Sequence, residues 1–196
     1  MSLASSLAFR PATIEDCAHL MLLTDMATRR LTSFLWGQKA VPGQSVFEVG
    51  RQIIRDDESH FTHFKNWSVA EDQGQMIGGL NCYVITPQSM TAPTIDLLKP
   101  LNELKAMAAG SWYISSATIY PEHQGQGFGK ALLAEAELQA RAANKHHLTL
   151  MVGSFNVRAH VLYLKSGFKE WGRRRFLPFP GSDMEGEWIL MGKDLT

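Results

Sequence analysis

The sequence predicts an α+β fold in which strands and helices interleave in the order β-α-α-β-β-(α)-β-α-β-α-β-β. Three observations carry that reading. Apolar runs of strand length (residues 67–71, 76–85, 112–120 and 147–152) are separated by runs of helical periodicity, of which residues 128–143 are the clearest. Asp72-Gln73-Gly74-Gln75, between two of the strand runs, is an antiparallel hairpin signal. The joint from Ile119 to Lys130 sets Gly125, Gly127 and Gly129 at alternate positions between a strand and a helix.

In chain order, Phe9 opens a short strand that Pro11 ends. Thr13-Ile14-Glu15-Asp16 resembles a capping box and starts a helix running to about Arg29. Residues 37–43 are turn-rich, 45–55 read as a second helix, and 56–65 as a polar and aromatic loop. The hairpin strands follow. Residues 86–110 form an irregular, Pro-punctuated insertion whose last part, 101–109, looks like a short extra helix. Next comes the strand 112–120, then a helix with Phe128, Leu132, Leu133, Ala136, Ala140 and Ala143 on one stripe and Lys130, Glu137 and Arg141 opposite. Residues 147–152 and 184–193 read as further strands, and Phe168 opens another between them.

A chain of 196 residues with 45% apolar content and equal basic and acidic counts (19 each) predicts one soluble globular domain. The flat charge balance gives no reason to expect nucleic acid, and Arg173-Arg174-Arg175 reads as an exposed strand end. Cys17 and Cys82 read as two reduced thiols, without the neighbours of a nucleophile or a metal ligand. No apolar run is long enough to span a membrane, and residues 1–8 lack the basic start and apolar length of a signal peptide. The expected location is the cytoplasm.

The glycine joint is the most informative stretch. Glycine takes φ > 0 and lets a ligand approach the main chain, while the first turn of the next helix presents unpaired N–H groups and the positive end of its dipole. Together these make an anion site suited to a phosphate or pyrophosphate; a glycine-rich turn without ligand is the plain alternative. The dinucleotide fingerprint G-x-G-x-x-G fails because Lys130 stands where the third glycine belongs. The Walker loop fails because Lys130 is followed by Ala131 and not by Ser or Thr. What stands is Gln124-x-x-Gly127-x-Gly129, which resembles the [R/Q]-x-x-G-x-[G/A] loop of the GNAT superfamily of N-acetyltransferases.

A second stretch extends the resemblance. Asn156-Val157-Arg158-Ala159-His160-Val161-Leu162-Tyr163-Leu164-Lys165-Ser166-Gly167-Phe168 is similar to that family's N-x-x-A-x-x-[LF]-Y-x-x-x-G-F signature at every fixed position. Asn156 is a good N-cap, Val157, Val161 and Leu164 recur at helical spacing, and Gly167 stands where a left-handed residue closes a helix. Tyr163, close to two turns beyond Asn156, shares its side of the helix. The resemblance is good over about residues 112–175 and covers the first hundred residues only in layout.

The resemblance implies a mixed, mostly antiparallel sheet of six or seven strands with a splayed central pair, flanked by helices, with one extra helix before the fourth strand. It implies a single domain: residues 7–110 as the acceptor-side half, 111–175 as the acetyl-CoA motifs, and 176–196 as the C-terminal strand. Acetyl-CoA is the implied co-substrate, without a metal. Its pyrophosphate is expected on the N–H groups of Gly125, Gln126, Gly127, Phe128, Gly129 and Lys130, with Gln124 and Lys130 assisting by side chain. Its pantetheine arm is expected along the backbone of Ala117, Thr118 and Ile119, with the Ile119 N–H polarising the thioester carbonyl and holding the oxyanion. Asn156 is expected to bond the arm or only to cap its helix.

Tyr163 is the candidate general acid, since a phenol can protonate a departing thiolate; a helical tyrosine beside Leu162 is equally a core residue. Glu48, Asp57, Glu58, Glu103, His123 and His160 are candidate bases, none singled out. The expected reaction is direct attack by a small-molecule or peptide primary amine, because no cysteine near the motifs supports an acetyl-enzyme. An acyl-CoA sensor without turnover and a dinucleotide oxidoreductase are the alternatives. Neither membrane nor nucleic acid is an expected partner, and the family commonly forms homodimers. The insertion is expected beside the acceptor side or against a second subunit.

Overall fold

The computed structural model describes residues 7–89 and 95–195. Its elements are β1 (Ala8–Pro11), α1 (Cys17–Ala27), α2 (Leu31–Gly37), α3 (Val46–Asp56), β2 (Trp67–Asp72), β3 (Gln75–Val84), α4 (Lys99–Met107), β4 (Trp112–Ile119), α5 (Phe128–Ala142), β5 (His147–Gly153), α6 (Val157–Lys165), β6 (Lys169–Arg175) and β7 (Glu187–Asp194). The strands form one sheet in the order β1-β2-β3-β4-β5-β7-β6. β4 and β5 pair in parallel, whereas β1/β2, β2/β3, β5/β7 and β6/β7 are antiparallel. This is the mixed, mostly antiparallel α+β sheet expected. The parallel register runs over Trp112–Ile114 against Leu148–Leu150, the first residues of each strand.

The chain divides into two compact units, Met1–Asn81 with Ser116–Glu135, and Cys82–Ser115 with Ala136–Thr196. The first is built around Leu20, Leu23, Trp36, Ile54, Trp67 and Val69, all buried. Its entry is fixed electrostatically. The Asp16 carboxylate accepts the Thr13 N–H at 2.7 Å, in the manner of a capping box. The Arg10 guanidinium clasps the same carboxylate through two nitrogens at 2.8 and 2.9 Å and reaches Glu71 on β2 at 2.7 Å. That clasp holds the Asp16 carboxyl down at about 2.

α2 departs from the expectation, which ended a helix near Arg29 and assigned no element before the turn-rich residues 37–43. A new helix begins at Leu31, after Arg29 and Arg30 turn the chain at positive φ (49° and 71°). Its first turn is capped from a distance: the Asp25 carboxylate on α1 accepts the Ser33 N–H at 3.0 Å and the Thr32 hydroxyl at 3.2 Å. Arg30 at the N-cap position makes no capping bond, and Thr28 Oγ1, three residues before the helix, accepts the Thr32 N–H at 3.2 Å. The hairpin turn is as expected, with Gln73 and Gly74 both at positive φ (51° and 79°), the backbone of a type I′ turn.

In the second unit the buried residues include Leu104, Leu148, Leu150, Phe168, Ile189, Leu190 and Met191. α4, the helix of the insertion, packs on β6 and β7. Its Met107 and Leu104 lie where a Cβ on Gly172 of β6 would stand. The rest of the insertion is the short turns Pro87–Ser89 and Asp96–Leu98, with residues 90–94 outside the described residues. β7 starts at Glu187 and not at 184. The Glu187 N–H there donates to Ser154 Oγ (3.0 Å), and the Ser154 N–H donates back to the Glu187 carbonyl (2.8 Å). The apolar spacing on α6 marks an outward face: Val157, Val161 and Leu164 are exposed.

Candidate active site

In the first unit the site residues run from the end of β4 through the glycine joint into α5. Tyr120 N–H donates to the Ile77 carbonyl of β3 at 2.9 Å. Amides alternate in direction along a strand, so the Ile119 N–H one residue earlier turns away from β3. β3 comes unusually close here. A Cβ on Gly78 would stand 2.3 Å from the Thr118 carbonyl oxygen and 2.7 Å from an Ile119 methyl, so only glycine allows the approach. The Ser116 and Thr118 hydroxyls, alternate residues of β4, are both buried and make no hydrogen bond among the described residues. Buried hydroxyls are rarely left in that state, which marks this strand as one built to meet something else.

A turn over Pro121–His123 then leads to the joint. The Gln124 side chain bends back, its Nε2 donating to the Ile119 carbonyl at 2.9 Å. Gly125 and Gly127 hold φ of 84° and 87°, a region that side-chain-bearing residues avoid, and the residues 124–127 are exposed. A Cβ on Gly127 would meet open space, so glycine is required there by backbone conformation and not by crowding. Gly129 is within α5. Phe128 is buried and pins the first turn, while Lys130, whose N–H donates to the Gly127 carbonyl at 3.1 Å, carries its side chain on the exposed face. The joint therefore offers a curved run of main-chain N–H groups at a helix N-terminus, the arrangement that binds phosphate.

In the second unit α6 starts at Asn156, whose Oδ1 accepts the Ala159 N–H at 3.4 Å, and ends at Gly167 with φ 89°. Asn156 thus caps its helix. The Tyr163 ring lies 5.9 Å from that of Phe168. Its side chain is half-buried, yet its hydroxyl is densely enclosed, and desolvation pushes the phenol up to about 12. It stays protonated at neutral pH, as a proton donor must.

The candidate bases divide by burial. Glu48 is exposed, and Asp57, Glu58 and Glu103 are exposed and engaged by Ser59, Lys65 and Arg174 respectively. His160 differs, for its Nε2 is buried without a hydrogen-bond partner among the described residues. Cys17 and Cys82 are buried thiols, and burial raises the Cys17 thiol, the opposite of nucleophile activation. Among the described residues no group of His, Cys, Asp and Glu is arranged to hold a metal ion, and no helix is long and apolar enough to cross a membrane. Sequence reading missed the meeting of Lys105 with Tyr83 and Tyr113, its Nζ 5.9 and 5.8 Å from the centres of the two rings. A lysine from the inserted helix meeting rings from two strands leaves no local signal in the sequence.

The family model for the acetyltransferase (GNAT) family matches residues 29–168, well over half of the chain. This chain belongs to the GNAT family. Both motif stretches of this GNAT acetyltransferase lie inside the matched region. Among solved structures it is similar to an acetyltransferase at 19% identity, with 96% of this chain and 100% of the other covered and a TM-score of 0.66. It is similar also to spermidine N-acetyltransferase from Vibrio cholerae in complex with CoA and spermine, at 22% identity, 97% and 96% coverage and a TM-score of 0.62. A third is yncA of Salmonella typhimurium with its cofactor acetyl-CoA, at 18% identity, 97% and 95% coverage and a TM-score of 0.60. At these identities the likeness is one of fold. No curated protein matches the chain.

Proposed function

We propose that this enzyme transfers an acetyl group from acetyl-CoA to a primary amine by direct attack. The observation that carries the reading is the joint between β4 and α5, where two positive-φ glycines, the second with open space before it, run into a helix N-terminus. The main-chain N–H groups of residues 125–129 would hold the pyrophosphate, that of Lys130 being given to the Gly127 carbonyl. Gln124 fixes the joint to the end of β4 through its bond to Ile119. The main chain of Ala117, Thr118 and Ile119 would take the pantetheine as an added strand does, and the Ile119 N–H, turned away from β3, supports a role as oxyanion donor. Asn156 acts as a cap. Acetyl-CoA supplies an acyl group on a sulfur leaving group, and Tyr163 supplies the proton that the sulfur needs on departure.

Thermal unfolding with acetyl-CoA, CoA, NAD and ATP tests the cofactor. A true ligand at about 100 times its dissociation constant adds roughly 2.7 kcal/mol of stability. The expected result is stabilisation by both CoA species. Stabilisation by NAD alone would overturn the reading. Release of free thiol across a panel of amines then identifies the acceptor, and CoA binding without release from any amine would favour a sensor.

A further inference from the structure

In the first unit, every polar group of Tyr120, the residue after β4, is engaged. Its N–H donates to the Ile77 carbonyl of β3 at 2.9 Å, and its carbonyl accepts the His123 N–H at 2.9 Å. The Ile119 carbonyl, at the other end of the same peptide plane, accepts Gln124 Nε2 at 2.9 Å. β3 presses on this peptide at Gly78, where a Cβ would stand 3.0 Å from the Ile119 Cα. One anchor comes from a different element. The Tyr120 side chain packs against the core that Leu20 and Leu23 of α1 help to form, and its hydroxyl lies 2.8 Å from Nδ1 of His19 on that helix. The two rings meet edge to face, 6.1 Å apart at 71°.

The fold has little use for that last bond. His19 is exposed, and water offers both groups a bond of the same kind, so the net stabilisation is small. What the bond restrains is geometry. Tyr120 is still extended, at φ −55° and ψ 145°, and its bond to Ile77 lies in the plane of the sheet. Side chains stand perpendicular to that plane, so the contact with His19 restrains the end of β4 along the sheet normal, where the bond to β3 leaves it free to roll. The peptide plane is rigid and successive amides of a strand point to opposite sides. Whatever stops Tyr120 from rolling therefore also fixes the direction of the Ile119 N–H.

We propose that His19 is a positioning residue for acetyl transfer: its bond to the Tyr120 hydroxyl braces the end of β4 against α1 and so aims the Ile119 N–H at the thioester carbonyl. The inference rests on the acetyl-transfer reading, in which that N–H meets the negative oxygen of the tetrahedral state. Neither His19 nor Tyr120 touches the reacting atoms. Stabilisation of an oxyanion depends on a donor fixed in advance at hydrogen-bond distance from the place the charged oxygen will take, and it weakens steeply when the donor is misplaced. The Tyr120 phenol suits the brace. Burial, and to a smaller degree the charge of Glu122, raise it above its ordinary value, so it keeps its proton to offer to an imidazole nitrogen.

The test uses the full chain, acetyl-CoA and whichever amine of the panel the wild type acetylates fastest. His19→Leu removes the brace, and Tyr120→Phe removes only its hydroxyl. Each should lower kcat on the order of 10-fold, less than the roughly 10²–10³ lost when an oxyanion donor is removed outright, with KM for acetyl-CoA and the CoA-induced stabilisation unchanged. The double variant should fall no further than either single one, because both break the same bond. His19→Asn, whose side-chain amide can stand where Nδ1 stands, should recover most of the rate. The direct readout is the infrared carbonyl stretch of acetyl-CoA, isotope-labelled at the thioester carbonyl and bound without amine. It should lie below the free value in the wild type and return toward it in His19→Leu and Tyr120→Phe. A loss of rate with the stretch still at its wild-type position would show a merely structural role and overturn the inference, as would a wild-type rate in either variant. A wild type that transfers acetyl with an unshifted carbonyl keeps the acetyl-transfer reading and overturns this inference alone. If the wild type releases no thiol with any amine, that reading itself falls, and this one with it.

Discussion

Tyr163 shows how one side chain can satisfy a packing rule and a chemical one together. It follows Asn156 by nearly two helical turns, its ring touches that of Phe168, and its hydroxyl is enclosed deeply enough to stay protonated far above neutral pH. A purely structural tyrosine in that place would contribute through its ring alone. Removing only the oxygen therefore separates the two roles. Tyr163→Phe should lower kcat by about 10²–10⁴ while leaving acetyl-CoA affinity nearly unchanged, as measured by steady-state kinetics and CoA titration. An unchanged kcat would return Tyr163 to the core. At the same scale, Gly78 and Gly127 are glycines for different reasons. A Cβ on the first would strike the Thr118 carbonyl, and a Cβ on the second would meet only space but would strain the backbone at φ 87°.

At the scale of elements, the joints between strands and helices are fixed more by charge and capping than by propensity. The clearest is the passage from β1 to α1, where Arg10 grips Asp16 and Glu71 while Asp16 caps the turn at Thr13. The Asp16 carboxyl sits near 2 in the folded chain against an unfolded value near 3.8, with the Arg10 bond the largest cause. A depressed folded value means that the carboxylate stabilises the fold fully above about pH 4 and loses that contribution as pH falls to about 2. Asp16→Asn should thus lower the melting temperature at pH 7 by several degrees, reflecting about 1–2 kcal/mol once solvent screening of the half-exposed Arg10 is allowed for. The two proteins should converge as the pH falls from 4 to 2, and an equal gap at every pH would show that packing and not charge is responsible. α2 illustrates the same principle from the other side: its cap comes from Asp25 on the helix before it.

Over the whole molecule, the cofactor residues proposed lie in one stretch of chain, 117–130, whereas the insertion 86–110 delivers α4 to β6 and β7. Exchanging residues 87–95 for a short Gly-Ser bridge, which leaves α4 and Lys105 in place, should leave the CoA thermal shift intact and change the ranking of amine acceptors. An identical ranking and rate would show this part of the insertion to be dispensable. The elements that the sequence alone determined are those whose cause is local: the I′ hairpin from Gln73-Gly74, the cap at Asn156, the αL closure at Gly167, and the strand–glycine–helix joint that identifies the family. Each follows from the dihedral freedom or hydrogen-bonding habit of residues adjacent in the chain. What only the tertiary structure decided depends on residues far apart meeting. Among these are α2 and its borrowed cap, the outward face of Val157, Val161 and Leu164, and the orphaned hydroxyls of Ser116 and Thr118. So too is the meeting of the Lys105 amine with the Tyr83 and Tyr113 rings, because contacts between residues far apart in sequence are properties of the packed chain and not of its order.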